Sequence, residues 1–313
     1  MPLVSVVIPT RNRAHLLPAA LRSALGQSFT DFEILVVDDG STDRTPALRG
    51  QFDDPRLRWL RHESARGGGA ARNAGIAAAR GEYIAFLDDD DEWRADKLAR
   101  QSAALAQSGA DVGAVFTGYR VIDAASRKVV GRKVPSKSGD LYPDLLEGNY
   151  IGGTSCLMAK RSCLERLGGF DERLPSFQDY DLWLRMAGEF RFLSIAAPLV
   201  NYYAHEQKIW TNPDAVLAGL RLMLEKYGRS AAFRRYCSRL YLALGVRFAE
   251  TREPERARRA FLSAIALHPY GVRPYVYFGL SLGGLEAVAA ARRARSKLRR
   301  WGARNRQRSI DHG

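Results

Sequence analysis

The sequence contains little cysteine and no long hydrophobic run. Its 313 residues include three cysteines, Cys156, Cys163 and Cys237, and their spacing suits neither a zinc site nor a disulfide framework. We therefore expect a reducing, cytosolic setting. No stretch reaches the roughly 18 uncharged apolar residues of a membrane span. No charged-then-apolar leader precedes the first predicted strand, so we expect no signal peptide.

Acidic residues are also missing from one stretch near the C-terminus. The net charge is +14, and residues 292–308 contain many Arg and Lys residues but neither Asp nor Glu. Such a tail can bind nucleic acid, or anionic lipid at about 1 kcal/mol per cation. A solvated, frayed end is the alternative. We expect a cytoplasmic protein with peripheral contact to the inner face of the membrane through this tail, and no nucleic-acid partner.

The first half of the chain alternates strands with helices. Predicted strands are Val4–Pro9, Glu33–Asp38, Leu57–Leu60 and Tyr83–Leu87, and predicted helices include Ala14–Leu25 and Ala70–Ala79. Tyr83–Leu87 is a continuous apolar run, which is typical of a strand buried on both faces, and Val4–Pro9 is also predicted to be a buried strand. Such alternation predicts an α/β fold with a mostly parallel sheet flanked by helices.

Later segments are less regular and then become helical only. We predict strands at Val112–Phe116, Thr154–Ala159 and Pro198–Tyr203, and a hairpin at Tyr119–Val134. Arg239–Ala249 and Glu255–Leu267 resemble a single tetratricopeptide-type helical hairpin. Residues 275–291 are either an interfacial anchor or a packed last helix. The predicted domains are 1–210, a helical extension at 211–291, and a basic tail at 292–313.

Four aspartates, Asp88–Asp91, follow directly on the apolar run that ends at Leu87. Crowded like charges raise carboxyl pKa values or require a cation. If the chain stays near-extended, side chains two residues apart point the same way, so Asp88 and Asp90 can share one ion. Oxygen ligands of this kind suit Mg²⁺ or Mn²⁺, and open α/β sheets bind ligands at the carboxyl ends of their strands. The alternative is an acidic surface turn.

Four motifs together resemble the family 2 glycosyltransferases with the GT-A fold. They are Val-Ser-Val-Val-Ile-Pro-Thr-Arg-Asn at 4–12, Val-Asp-Asp-Gly-Ser-Thr-Asp at 37–43, Ala-Arg-Asn-Ala-Gly at 71–75 before Phe-Leu-Asp-Asp-Asp-Asp at 86–91, and Gln-Asp-Tyr-Asp-Leu-Trp-Leu-Arg at 178–185. The resemblance covers about residues 3–205. It implies a GT-A domain with a C-terminal helical extension.

The resemblance also implies where a nucleotide-sugar donor binds. The residues implied are Pro9, Thr10, Arg11, Asp39, Arg72, Asp88, Asp89 and Asp90. Asp90, with Asp88, is implied to hold Mg²⁺ or Mn²⁺, and His205 is a further metal or phosphate contact unless it has neither role. Asp91 and Glu92 are expected to cap or solvate the next helix. A solvent-facing helical arginine is the alternative for Arg72.

Asp179 is implied to be the catalytic base, with Asp181 as the alternative. Many family members have Glu-Asp at this point, whereas this chain has Gln178-Asp179. A neutral Gln178 removes one like charge beside the base, so Asp179 is easier to keep ionised.

The implied reaction is inverting, metal-dependent transfer of a sugar to a hydroxyl of a saccharide or lipid-linked acceptor, in cell-envelope or exopolysaccharide assembly. The lack of a Gln-x-x-Arg-Trp signature weighs against a processive synthase. A nucleotidyltransferase and a non-catalytic scaffold that binds partners through its helical tail are the alternatives.

Overall fold

The computed structural model describes residues 1–204, 212–284, 286–288 and 290. The chain divides into two compact units, Met1–Met223 and a second that begins at Leu224. The predicted domain boundary after residue 210 and the predicted tail at 292–313 lie outside the described residues. Those domain boundaries therefore stay predictions.

The first unit alternates strands and helices along most of its length. Its strands are β1 (Val4–Thr10), β2 (Phe32–Asp38), β3 (Leu57–Arg61), β4 (Tyr83–Phe86), β5 (Asp91–Trp93), β6 (Val112–Asp123), β7 (Val129–Lys133), β8 (Leu157–Lys160) and β9 (Arg191–Ala204). Its helices are α1 (Leu17–Leu25), α2 (Gly68–Ala78), α3 (Lys97–Ala106), α4 (Tyr142–Glu147), α5 (Arg161–Arg166) and α6 (Gln178–Ala187). Helix α7 (Pro213–Tyr227) continues from this unit into the second.

The described strands form one sheet in the order β3-β2-β1-β4-β8-β6-β9-β5, with β7 paired to β6. Strand β1 is parallel to β2 and β4, and β2 is parallel to β3. Strand β8 is antiparallel to β4 and β6, whereas β6 and β9 run parallel over most of their length. The predicted α/β fold with a mostly parallel sheet and flanking helices is confirmed.

Strands β1 and β2 are buried along their whole length, and their mainly apolar sequences are typical of strands covered on both faces. Helix α2 packs closely on β1 because Gly75 has no side chain. A Cβ atom there would lie 2.3 Å from Cγ1 of Val7, so a larger residue would push the helix away.

The carboxyl ends of the parallel strands β1, β2 and β4 meet at one edge of the sheet, where open α/β folds bind ligands.

Several predicted elements have different bounds in the structure. Helix α1 starts at Leu17 rather than Ala14, because Pro18 lacks an N–H and suits the first helical turn. Thr154–Cys156 forms a 3₁₀ turn, and the predicted strand is shortened to β8. The predicted hairpin is present as β6 and β7, with Tyr119 opposite Lys133.

Strand β5 was not predicted, and it changes the role of Asp91. This residue was expected to cap or solvate the next helix, but it is the first residue of β5, lies opposite Tyr202 of β9 and is 2% exposed. The preceding aspartates form a turn, closed by the Asp91 N–H donating to the Asp88 carbonyl at 3.0 Å. The near-extended arrangement expected for Asp88 and Asp90 is therefore wrong.

The second unit is helical in its described part, with α8 (Ala231–Glu250), α9 (Pro254–Leu267) and α10 (Val272–Leu282). The predicted helical pair is present as α8 and α9. A Cβ atom on Gly245 would lie 2.4 Å from Phe261, so this glycine permits the close packing of the pair. Among the described residues, no helix has the length and apolar character needed to cross a membrane.

Candidate active site

The loops after β1 and β2 are joined by hydrogen bonds of Asn12, which has a positive φ of 52°. Its N–H donates to the Ser41 hydroxyl at 2.9 Å, and its side-chain oxygen accepts from the Thr42 N–H at 2.8 Å. Thr10, the last residue of β1, donates from its hydroxyl to Asp89 at 2.7 Å. These bonds bring the ends of three neighbouring strands to one place.

Asp39 organises a further loop at this edge of the sheet. Its carboxylate accepts from the His62 ring at 2.8 Å and from the backbone N–H groups of Arg66 and Gly67 at 2.9 and 2.8 Å. Burial alone would raise the pKa of Asp39, but these hydrogen bonds outweigh burial and lower it. A carboxylate has about four acceptor positions, so one remains for a donor from a ligand.

Asp88, Asp90 and Asp91 bring their carboxylate oxygens within 4.8 Å of one another. This group, which we call the aspartate triad, contains both predicted metal ligands and adds Asp91. Oxygen donors at this spacing are the chemistry that Mg²⁺ and Mn²⁺ prefer. The triad therefore fits a divalent cation. His205, the further predicted contact, lies outside the described residues.

The fourth aspartate, Asp89, lies beside the triad. Burial raises its pKa to about 7, the charges of Asp90 and Asp88 act in the same direction, and the Thr10 hydroxyl opposes them.

Thr154 and Ser155 hydrogen-bond to the triad, although neither was predicted as a site residue. Thr154 donates to Asp88 at 2.8 Å, and Ser155 donates to Asp91 at 2.7 Å while accepting from the Asp88 N–H at 3.0 Å. Trp93 donates from its indole N–H to the Ser155 carbonyl at 2.9 Å. The two adjacent hydroxyls before the apolar run of β8 were the available signal, but their partners are far away in sequence.

Arg72 links the triad to the start of helix α6. Its guanidinium donates to Asp88 at 2.6 Å and to the Gln178 side chain at 3.2 Å, and it lies 5.6 Å from the centre of the Phe170 ring. The side chain is only 12% exposed. The alternative of a solvent-facing arginine is therefore wrong, because α2 points this side chain into the site.

Asp179 is the second residue of α6 and follows Gln178. Phe177, just before the helix, has a left-handed φ of 64°. Burial raises the pKa of Asp179 to about 6. The Tyr180 N–H and the Arg72 charge oppose the rise, and the Asp88 charge adds to it. A carboxyl group with such a pKa is mostly ionised at neutral pH and can still accept a proton.

Asp181, the alternative base, is fully buried and forms an ion pair with Arg185 at 2.9 Å. Arg185 also donates to the carbonyls of Leu167 and Gly169. This geometry assigns Asp181 to the packing of α6, which makes it unsuitable as a base.

All nine predicted site residues other than His205 line one cleft of about 510 Å³. They are Pro9, Thr10, Arg11, Asp39, Arg72, Asp88, Asp89, Asp90 and Asp179. Arg13, Thr154, Ser176, Phe177, Gln178 and Tyr202 are among the residues that line the same cleft without having been predicted. Asp88 and Asp90 of the aspartate triad therefore face the same space as Asp179, and that space is large enough for a ligand.

The family model described as Glycosyl transferase family 2 matches residues 5–168, more than half of the chain. The chain belongs to glycosyltransferase family 2. The protein is therefore an enzyme of the glycosyltransferase class, and the nucleotidyltransferase and scaffold alternatives lose their support.

Characterised relatives of this family 2 glycosyltransferase come from several bacteria. It is 29% identical over 248 residues to UDP-Glc:alpha-D-GlcNAc-diphosphoundecaprenol beta-1,3-glucosyltransferase WfgD of Escherichia coli, covering 78% of this chain and 94% of WfgD. It is 34% identical to the succinoglycan biosynthesis protein ExoO of Rhizobium meliloti, covering 58% of this chain and 55% of ExoO. The chain thus spans nearly all of WfgD and about half of ExoO.

Solved structures show the same fold at lower identity. Staphylococcus aureus TarS 1-349 in complex with UDP-GlcNAc superposes with a TM-score of 0.65 at 18% identity, covering 94% of this chain and 92% of that one. The mannosyltransferase PcManGT of Pyrobaculum calidifontis, in complex with GDP-Man and Mn²⁺, gives a TM-score of 0.56 at 21% identity, covering 92% and 86%. The GT-A fold of the family 2 enzyme is therefore confirmed.

Proposed function

We propose that the protein transfers a sugar from a nucleotide-diphosphate donor to an acceptor hydroxyl, with inversion at the anomeric carbon and with the help of a divalent cation. The observation that carries the proposal is that Asp88 and Asp90 of the aspartate triad line the same cleft as Asp179. The aspartates suit a charged diphosphate with its cation, and Asp179 presents a carboxyl group suited to take up a proton in the same cleft.

The aspartate triad is the proposed cation site, with Asp90 and Asp88 as ligands and Asp91 as a third carboxylate. A bound Mg²⁺ or Mn²⁺ supplies positive charge for the diphosphate leaving group. Thr154, Ser155 and Arg72 hold Asp88 and Asp91 in position before any ligand arrives. Preorganisation of this kind avoids the cost of ordering the carboxylates during the reaction.

Asp179 is the proposed general base. The acceptor oxygen forms a bond to the anomeric carbon as the bond from that carbon to the diphosphate oxygen breaks, and the proton of the acceptor hydroxyl passes to Asp179. The diphosphate leaves with the electron pair of the broken bond. Because the attack and departure occur in one in-line step, the configuration inverts and no covalent glycosyl-enzyme forms.

The opposite end of the cleft is the proposed nucleotide site. Pro9, Thr10 and Arg11 end β1 beside Asp39, whose remaining acceptor position suits a base N–H. Arg11 and Arg13 add positive charge to the cleft wall. A nucleoside diphosphate would thus extend from Asp39 towards the triad.

The proposed setting is cell-envelope or exopolysaccharide assembly with a saccharide or lipid-linked acceptor. The support is the similarity to WfgD, whose name specifies a diphosphoundecaprenol acceptor, and to ExoO, a succinoglycan biosynthesis protein. We also propose peripheral membrane contact through the basic tail at 292–308, which lies outside the described residues. Vesicle binding by chains with and without residues 270–313 tests that contact.

The decisive experiment is a thermal-shift screen of nucleotide sugars with Mn²⁺, followed by product analysis with the donor found. A ligand that binds only the folded state raises its apparent stability. We expect release of a nucleoside diphosphate and, from an α-linked donor, a β-linked product by NMR. Release of pyrophosphate, or an α-linked product from an α-linked donor, would contradict the proposed reaction.

A further inference from the structure

The hairpin formed by β6 and β7 concentrates the exposed apolar side chains of the first unit. Among the described residues of that unit, apart from Met1, the exposed large hydrophobic side chains are Val129, Val130 and Val134, at 56%, 64% and 41% exposure. All three lie on β7 or directly after it. A cluster of exposed apolar side chains on an otherwise polar surface marks a contact with a partner.

The edge of the sheet at β7 is poorly suited to adding a strand from another protein. Within the described part of the chain, β7 pairs with β6 alone. Ile122 lies opposite Val129 and Val121 lies opposite Gly131, so Val130 is the extra residue of a β-bulge. Bulges and basic side chains are the devices that block edge-to-edge pairing. The exposed valines therefore need a partner of another kind.

The charge of the hairpin is strongly positive. Residues 112–133, from the start of β6 to the end of β7, contain five Lys or Arg residues and one acidic residue, a net charge of +4. Arg127 forms an ion pair with Glu92 at 3.7 Å. Lys128 and Arg132, by contrast, are exposed and have no acidic partner among the described residues. Unpaired cations next to exposed valines match a surface that is anionic outside and apolar beneath.

We propose that the segment Lys128–Val134 docks on an anionic lipid surface. The valines enter the boundary between headgroups and acyl chains, and Lys128 and Arg132 contact anionic headgroups. This surface is separate in sequence from the basic tail at 292–308, and it belongs to the unit that carries the cleft.

The hairpin also borders the acidic end of the site. Ala124 and Arg127 at its tip line a second cavity of about 490 Å³, whose wall includes Asp89 and Asp90, and these two aspartates also line the cleft. A docked hairpin holds the acidic end of the cleft close to the bilayer. Delivery of a lipid-linked acceptor to Asp179 by this route rests on the proposed function, whereas the docking itself does not.

A local fluorescence probe tests the docking without donor or acceptor. All three native cysteines are buried, so an environment-sensitive thiol dye labels Val130→Cys selectively in the full chain. We expect a blue shift with vesicles of phosphatidylcholine and phosphatidylglycerol at 3:1, reversal in high salt, and no shift with phosphatidylcholine alone. The matched control is Ala47→Cys, an exposed position in the 3₁₀ turn Thr45–Gln51, where the dye should not respond.

Vesicle flotation of the full chain gives a second measurement. Lys128→Gln with Arg132→Gln should weaken binding about thirtyfold, the loss of about 1 kcal/mol for each of two cations. Arg44→Gln with Arg49→Gln changes the same charge at exposed positions elsewhere and should have little effect. Val129→Ser with Val130→Ser should weaken binding about tenfold or more. Melting temperatures measured without vesicles should match wild type in all variants, which shows that they fold.

Two results would overturn the proposal. One is a silent dye at position 130 on protein that floats with anionic vesicles, which would assign binding to another surface. The other is a blue shift that depends on protein concentration in the absence of vesicles, which would assign the valines to contact between copies of the chain.

Discussion

At the Asp39 end of the cleft the protein supplies donors to its own carboxylate, whereas at the Asp89 and Asp179 end burial dominates. Three hydrogen bonds lower the pKa of Asp39, but burial raises the pKa of Asp89 to about 7 and that of Asp179 to about 6. Hydrogen bonding at Asp39 fixes its loop and keeps its carboxyl group ionised. Burial at Asp89 and Asp179 disfavours their ionised forms, so a ligand or cation that stabilises those forms has its largest effect there.

The largest expected effect is that of Asp179→Asn at the buried end. Loss of the base should lower the transfer rate by about 10²–10⁴-fold, while the donor-induced thermal shift stays close to wild type. Asp31→Asn, an exposed aspartate outside the cleft, is the matched control and should retain full activity. Loss of donor binding in parallel with transfer would count against the base role.

The aspartate triad should be nearly as sensitive. Asp90→Ala should lower transfer by about 10²–10³-fold, because charge on the leaving group is no longer neutralised. EDTA should have a similar effect on wild type and add little to the variant, and Mg²⁺ or Mn²⁺ should restore wild type alone. Full activity in EDTA would contradict the proposal that the triad binds a divalent cation needed for transfer.

At the donor-rich end, Asp39→Asn should chiefly change stability and donor binding. Asp39 accepts three hydrogen bonds, and in Asn one of its two oxygens is replaced by an NH₂ group that cannot accept. The donor left without a partner should lower the free energy of unfolding by about 1–3 kcal/mol. Urea denaturation should show that loss, and the KM for the donor should rise. An unchanged free energy of unfolding would mean that the loop is held by other contacts.

The pH dependence of activity should report the ionisation of Asp179. Asp179 acts as a base only when ionised, so kcat/KM should fall about tenfold per pH unit below its pKa of about 6. The effect on stability has the opposite sign. A raised folded-state pKa favours the protonated form, so the stability contributed by Asp179 is present below pH 4 and is lost as the pH rises through about 6. The ligand-free Asp179→Asn enzyme should therefore melt a few degrees higher than wild type at pH 8.

Gln178→Glu is the smallest expected perturbation and refines the comparison. A second carboxylate beside Asp179 should move the acidic limb of the rate profile upward by less than about one pH unit, because Arg72 offsets part of the new charge. Gln178→Met adds no charge and removes the hydrogen bond that Arg72 donates to residue 178, which a glutamate would still accept, so it separates loss of the Gln178 amide from the added charge. Identical limbs in the two variants would show that charge at position 178 does not tune the base.

The sequence by itself determined the fold and most of the cleft. Unbroken apolar runs such as Tyr83–Leu87 are typical of strands buried between helices, and parallel strands that end in polar residues bring those residues to one edge. Asp39, Arg72 and Asp179 were assigned to one site by the resemblance of their motifs to those of family 2 glycosyltransferases, and their roles stay predictions. Local patterns are sufficient here because burial and strand direction depend on neighbouring residues.

Only the tertiary structure decided which groups support those residues. Asp91 becomes a third carboxylate because β5 pairs with β9, more than a hundred residues later. Thr154 and Ser155 reach the triad from 66 and 64 residues away. The exposed valines of β7 are ordinary strand residues in the sequence, and their exposure follows from the lack of a second neighbour for β7 among the described strands. Contacts between distant segments depend on how the chain folds back on itself, and no local pattern contains that information.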